Sequence, residues 1–284
     1  MALVPVKEVL AMADKANTSV IAFNCMDYSM IYSVCQAAEK VQKPVLIMLY
    51  PGHHLDNNWV DPEGFGAMVK ECAEKVSVPI GLHLDHCYDY DYIARAIRAG
   101  FTGVMYDGSM LPIEENIANT RKVVDMAHAF GACVEAELGH VGMALSSDQH
   151  KEDMYTQPDV AADFIARSGC DSLAVAIGSA HGVYKETPKL DIQRLSEINA
   201  ATDAPLVLHG GSGIPDDQLD QAFVNGINKF NVGTEFINLY YNTFREYSME
   251  HGEVKGADEM LDFPHHLQKV LIDYLTKTME LSKF

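Results

Sequence analysis

A histidine and an aspartate stand side by side in His83-Leu84-Asp85-His86-Cys87, directly after the apolar run Val78-Pro79-Ile80-Gly81-Leu82. Such a run reads as a buried strand, and Tyr88-Asp89-Tyr90 then reverses the chain, so Asp85 and His86 fall at the strand's carboxyl end. Imidazole is the commonest side-chain metal ligand and a carboxylate can move protons, which suits the pair to metal binding and acid–base work. The arrangement recurs twice: Ser172-Leu173-Ala174-Val175-Ala176-Ile177 leads into Gly178-Ser179-Ala180-His181-Gly182, and Pro205-Leu206-Val207-Leu208 into His209-Gly210-Gly211-Ser212-Gly213. One buried histidine is ordinarily a hydrogen-bonded core residue. Three at equivalent strand ends read instead as His86, His181 and His209 around one ion, the protein complement of a catalytic Zn²⁺ that keeps an open position.

Two carboxylates end further strands: Asp107 in Val104-Met105-Tyr106-Asp107-Gly108-Ser109, and Glu137 in Val134-Glu135-Ala136-Glu137-Leu138-Gly139. Glu135 and Glu137 alternate onto one face of their strand, toward the interior. Asp107 and Glu137 then either orient the metal's histidines or receive a second or displaced ion. Gly210-Gly211-Ser212-Gly213-Ile214-Pro215 and Asn231-Val232-Gly233-Thr234 offer backbone N–H groups, with Ser212 and Thr234 hydroxyls beside them, where barrel enzymes seat phosphate.

All these groups can share a pocket only if the strand ends share a face. Short β-rich runs predict strands at 19–24, 44–50, 78–84, 103–107, 132–138, 172–177, 205–209 and 229–232. Helical patterns fill the gaps at 28–42, 63–75, 90–99, 113–130, 158–168, 192–201 and 215–225, several ending in glycine. Alternation of this kind predicts an α/β fold, a TIM (β/α)₈ barrel forming a single domain over 1–284, with every strand's carboxyl end on one rim. Residues 139–157, after the fifth strand, are too long for an ordinary βα connection and are expected to form a functional loop. A helical hairpin, about 235–250 and 258–280, is expected to extend past the barrel to cover an end or form an oligomer interface.

A net charge of −19 argues against nucleic acid or anionic membrane partners, so an anionic substrate must rely on a local positive site. Six cysteines without a CxxC pair suit reduced thiols in the cytoplasm, and no apolar stretch reaches the length of a membrane span.

The ordered set HLDHC, DGS, EAELG, AIGSAHG, LHGGSG and NVGTE resembles the class II, metal-dependent ketose-bisphosphate aldolases, the tagatose- and fructose-bisphosphate branch above all, from the first helix to about Tyr247. The resemblance implies reversible cleavage of a phosphorylated ketose to dihydroxyacetone phosphate and an aldehyde, through an enediolate that zinc stabilises as a Lewis acid. It implies Zn²⁺ on His86, His181 and His209, a secondary metal position at Asp107 and Glu137, and Asp85 as the acid–base group for the aldehyde-derived oxygen. It further implies dihydroxyacetone phosphate held by Gly182, Gly210, Gly211, Ser212, Asn231, Val232, Gly233 and Thr234, with Na⁺ or K⁺ beside the phosphate and Asn24 near the substrate carbons. A homodimer or homotetramer is expected. Two departures stand out. The loop acid that moves the C1 proton in many relatives is missing from its usual Gly-Gly-Xaa-Glu-Asp setting, leaving Asp148, Glu152 and Asp153 as candidates, and Tyr50 stands where relatives usually carry a small hydroxyl residue.

A lysine imine is the competing aldolase chemistry, but Lys229 is expected to begin the eighth strand and Lys185 to lie beyond the sixth. A noncatalytic partner subunit or sugar-phosphate sensor on the same barrel is the alternative from another class, and Asp85 beside the ligand set weighs against it. A metallohydrolase is a third, disfavoured by the phosphate-like loops. All six arginines (Arg95, Arg98, Arg121, Arg167, Arg194, Arg245) fall within predicted helices, so no clamp for a second phosphate is evident apart from Lys185 or a residue lent by a neighbouring subunit, and weaker dependence on a far-end group than on the C1 phosphate is expected.

Overall fold

The computed structural model describes residues 3–53, 61–139, 141, 155–253 and 255–284. Its strands are β1 (Val20–Asn24), β2 (Val45–Leu49), β3 (Ile80–Cys87), β4 (Gly103–Tyr106), β5 (Cys133–Leu138), β6 (Ser172–Val175), β7 (Leu206–Leu208) and β8 (Ile227–Val232). They pair in parallel, each with its sequence neighbours, and β8 returns to β1 to close the barrel. Helices α1 (Val6–Lys15), α2 (Tyr28–Val41), α3 (Pro62–Ala73), α4 (Tyr90–Arg98), α5 (Ile113–Ala129), α6 (Pro158–Ser168), α7 (Ile192–Ala201), α8 (Asp216–Val224), α9 (Thr234–His251) and α10 (Ala257–Met279) complete the fold. The α/β reading is met by a (β/α)₈ barrel.

Local chemistry sets the boundaries. Asp27, Asp61, Asp89 and Asp191 each cap a helix by accepting a first-turn N–H, and Gly169 closes α6 in the left-handed conformation. Strands that are buried along both faces, such as β1, β2 and β8, explain the unbroken apolar runs that mark a parallel sheet.

Three features depart from the expected layout. Helix α1 is additional to the expected elements: Val6, Val9, Leu10 and Ala13 form its buried stripe and pack on Val20, Ala22, Leu46 and Met48, closing the end of the barrel opposite the rim. Lys229 lies within β8 rather than at its start, because Asn228, which reads as a turn residue, is buried and accepts the Leu206 N–H at 3.3 Å. The last helices are not simply an extension. Leu267, Leu271, Leu275 and Met279 of α10 join the main core, where α10 packs against α2 and completes the outer ring.

Candidate active site

Asp85 and His86 owe their placement to a β-bulge. Strict alternation along β3 would turn them to opposite faces. The pairing of β3 with β4 shifts register between Leu84 and Cys87, and His86 adopts φ +41°, a left-handed conformation uncommon for a non-glycine residue. Strand β3 therefore continues to Cys87, three residues beyond the expected end, and delivers both side chains to the rim cavity.

His86, His181 and His209 come together there, each offering one ligand atom within 4.8 Å of the others. The remaining nitrogen of every ring is engaged. His86 Nδ1 meets Asp107 Oδ2 at 2.8 Å, His181 Nδ1 meets the Val141 carbonyl at 3.1 Å, and His209 Nε2 meets Glu135 Oε1 at 2.8 Å. Carboxylates and carbonyls only accept, so those nitrogens carry the protons and the lone pairs left over are His86 Nε2, His181 Nε2 and His209 Nδ1. Two of them, His86 Nε2 and His209 Nδ1, lie 2.7 Å apart. Three ring nitrogens aimed at one point fit a zinc ion, which would take the place of the proton that His86 holds without it.

The charges agree with a cation at this point. Burial opposes charge on His86, yet Asp85, Asp107 and Glu137 push its pKa up to about 10. His181 falls to about 3, through burial first and then the charge on neighbouring His86. Burial and the neighbouring Asp107 push Glu137 up to about 8, and its Oε2, buried without a hydrogen-bond partner, lies 3.8 Å from His86 Nδ1 and 3.7 Å from His209 Nδ1. His86, Asp107 and Glu137 thus make a second group able to hold an ion.

Asp85 is buried, which opposes its charge, but His86, His209 and Lys229 hold its carboxyl well below the usual range. Asn24 Nδ2 donates to its Oδ2 at 2.9 Å and Asn231 Nδ2 to its Oδ1 at 3.1 Å. The carboxylate is held from both sides, while the side-chain oxygens of both asparagines are buried without a partner.

Across the cavity, Gly211, Ser212, Gly233 and Thr234 line one wall with Gly182 and Gly210, whereas Val232 is buried in β8. Gly210 has φ +66°, and a β-carbon there would lie 2.4 Å from the Ala180 carbonyl oxygen; at Gly211 it would meet the Phe230 ring at 2.0 Å. Only glycine lets this turn run so close to the barrel. Helix α9 begins in the same wall with no capping side chain of its own at Gly233, and Ser212 Oγ accepts the Glu235 N–H at 3.2 Å. Glycine backbone plus a helix N-terminus makes an anion seat.

Several contributors carry no local signal in the sequence. Tyr184 accepts the Ala180 N–H at 2.6 Å and donates to the Gly210 carbonyl at 2.8 Å, tying the β6 and β7 loops together. Lys229, fully buried, places Nζ 3.1 and 2.8 Å from the two Glu135 oxygens, so its ammonium is committed to an ion pair rather than to an imine. His83, Asp85 and Glu135 form another possible metal group, but Lys229 already supplies positive charge there. Tyr50, expected near the substrate, lines the cavity with its ring 6.0 Å from that of His86. Asp148, Glu152 and Asp153, the loop-acid candidates, lie outside the described residues.

The sequence profile of the class II fructose-bisphosphate aldolases matches residues 4–282. Among solved structures, the YdjI aldolase of Escherichia coli K12 is 33% identical over 98% of this chain and 97% of its own, with a TM-score of 0.86. A Coccidioides immitis protein assigned provisionally as a fructose-1,6-biphosphate aldolase is 28% identical over 96% of this chain and 94% of its own, with a TM-score of 0.83. Fructose-bisphosphate aldolase from Campylobacter jejuni, at 23% identity over 99% of this chain and 95% of its own and a TM-score of 0.82, supports the fold alone. Since the profile spans nearly the whole sequence, the chain belongs to the class II fructose-bisphosphate aldolase family, and it is a carbon–carbon lyase.

Proposed function

We propose that the protein cleaves a phosphorylated ketose, reversibly, to dihydroxyacetone phosphate and an aldehyde, with zinc on His86, His181 and His209. One observation carries the reading: three ring nitrogens with fixed tautomers converge beside Asp85, and the glycine-lined anion seat opens into the same cavity. A zinc ion held there supplies Lewis acidity, drawing charge from the substrate's ketone as the adjacent carbon–carbon bond breaks.

The protein's own residues do the rest. Gly182, Gly210, Gly211, Ser212, Gly233 and Thr234 hold the phosphate and so fix the ketose along the cavity. The carbonyl oxygens of the Asn24 and Asn231 amides accept substrate hydroxyls that would otherwise leave them unpaired. Asp85, charged and gripped by both amides, takes the proton from the C4 hydroxyl as C3–C4 breaks, and the bonding electron pair stays with the dihydroxyacetone phosphate half. In condensation it returns that proton to the aldehyde oxygen. Asp107 and Glu137 hold His86 and His209 in register and offer the secondary metal position, and a monovalent cation beside the phosphate belongs to the same reading.

The test is release of dihydroxyacetone phosphate by zinc-loaded, chelator-stripped and zinc-restored protein. Activity that disappears and returns with the metal is expected, together with loss of bound zinc in His181→Ala and His209→Ala. Full zinc content in both variants overturns the ligand assignment, and turnover unaffected by chelation overturns the metal-dependent reading.

A further inference from the structure

The cavity has two unlike ends. Its volume is about 410 Å³, ample for a ketose longer than the phosphate-bearing half that the anion seat holds. In a closed eight-stranded barrel β3 and β4 face β7 and β8 across the axis, so a ligand anchored on the β7 and β8 loops runs past the histidines toward the loops after β2, β3 and β4. There the described lining includes Tyr50, Tyr88 and Met110.

Among its described residues this far wall holds no lysine or arginine to pair with an anion, and neither does the rest of the described lining. The carboxylates of Asp85 and Asp107 stand beside the histidines that the metal would occupy. The Ser109 hydroxyl is already given to Asp107 Oδ1 at 2.7 Å. Four of the six arginines are engaged on the outer ring: Arg95 binds Glu63, Arg167 binds Glu114, Arg194 binds Asp191, and Arg121 donates to the Arg167 carbonyl. Lys229 lies beneath the cavity, paired with Glu135. A second phosphate at this end would find no fixed guanidinium or ammonium among the described residues, where a phosphate ordinarily calls for an Arg or Lys clamp.

The wall suits a different group. Tyr88 and Met110 are largely exposed, at 73% and 77%, and so offer apolar surface to whatever enters the cavity. Tyr50 packs its ring over Gly52, so closely that a β-carbon there would sit 2.5 Å from the ring, and presents a fixed aromatic surface beside His86. The C–H faces of a polyol chain can lie on such surfaces while its hydroxyls stay in water.

Building on the aldolase reading, we propose that the substrate is a ketose 1-phosphate whose far end is uncharged, so that the aldehyde product carries no phosphate, and that Tyr50, Tyr88 and Met110 form the wall on which this tail rests. The preference is set by the far wall, whereas the carbon–carbon chemistry is set by the histidines and Asp85.

Condensation tests it whatever the stereochemistry of the natural sugar. Zinc-loaded protein is given dihydroxyacetone phosphate with D- or L-glyceraldehyde, or with D- or L-glyceraldehyde 3-phosphate, and kcat/KM is measured for each aldehyde. The better unphosphorylated enantiomer should match or exceed the better phosphorylated one. A tenfold or greater preference for the phosphorylated aldehyde overturns the proposal, including the case in which Lys151→Ala abolishes that preference and so reveals the clamp. Tyr50→Ser should raise KM for the unphosphorylated aldehyde about fivefold, the equivalent of about 1 kcal/mol of aromatic contact, and affect kcat less. An unchanged KM removes Tyr50 from the wall. Exchange of the dihydroxyacetone phosphate C1 proton in D₂O, with no aldehyde present, separates the two levels: absence of exchange defeats the aldolase reading itself, whereas exchange with a strong bisphosphate preference defeats only this inference.

Discussion

Asp85 is the residue on which the chemistry turns, and the two amides that grip it make its replacement informative. In Asp85→Asn at least one amide N–H of the new side chain must face the Asn24 or Asn231 amide that now donates to it, and no group remains to take the C4 proton. The variant should retain zinc and turn over at least ~10²-fold more slowly, as expected when a general base is lost. Metal analysis beside steady-state cleavage checks both halves, and near-normal turnover would assign the proton to another group. A second residue-scale prediction concerns His83, buried beneath the site with Nε2 3.5 Å from Glu135 Oε2. Burial, and then the charge on Lys229, lower its pKa from the ordinary 6.5 to about 3. The folded value lies below the unfolded one, so its contribution is fully present above pH 6.5 and declines as pH falls from there toward 3. Between about pH 7.5 and 5.0 the metal-free protein should lose about 2 kcal/mol more stability than His83→Gln does. Urea unfolding of both proteins at the two pH values measures the difference; equal losses would show that His83 titrates normally.

At the scale of elements, the barrel separates stability from chemistry by its two ends. Helix α1 sits opposite the rim, and Leu10, 2% exposed, is fixed among Val20, Ala22, Leu46 and Met48. Leu10→Ala should cost about 2–5 kcal/mol of unfolding free energy with kcat unchanged, since the deletion leaves a cavity far from the ligand set. Denaturant titration and cleavage assays together test it, and a kcat loss as large as the stability loss would tie α1 to the site. The stripe Val6, Val9, Leu10, Ala13 is readable in the sequence at helical spacing, yet nothing in the pattern demands it, because the eight βα units account for the fold without it. The β3 bulge is not readable at all. Period-2 alternation ends at Leu84 in the sequence, and only the shifted pairing with β4 shows that the strand runs on and turns Asp85 and His86 inward together.

For the whole molecule, helix α9 has a face that a monomer leaves bare. Among its described side chains only Phe236 and Thr243 are buried, whereas Tyr241, Phe244 and Met249 are exposed at 62%, 54% and 79%. We propose that a second copy covers this face. Sedimentation at micromolar concentration should show a dimer or tetramer, and because each chain carries a net charge of −19, moderate salt should strengthen the assembly by screening the repulsion. Phe244→Glu should shift it toward monomer, and a wild-type monomer at every salt concentration would leave the face unexplained by self-association. What the sequence by itself determined is the repeating βα pattern, and with it the barrel, the shared rim and the histidines that meet there, because burial periodicity and glycine-rich turns are local properties that each segment carries alone. What only the tertiary structure decided is how those residues are aimed and charged. Glu135 and Lys229 are 94 positions apart, and their ion pair, which anchors the partner of His209 and retires the lysine from imine chemistry, exists only because closure brings β5 and β8 to one interior. Pairings of that kind are set by which strands face each other, and no local rule of sequence encodes them.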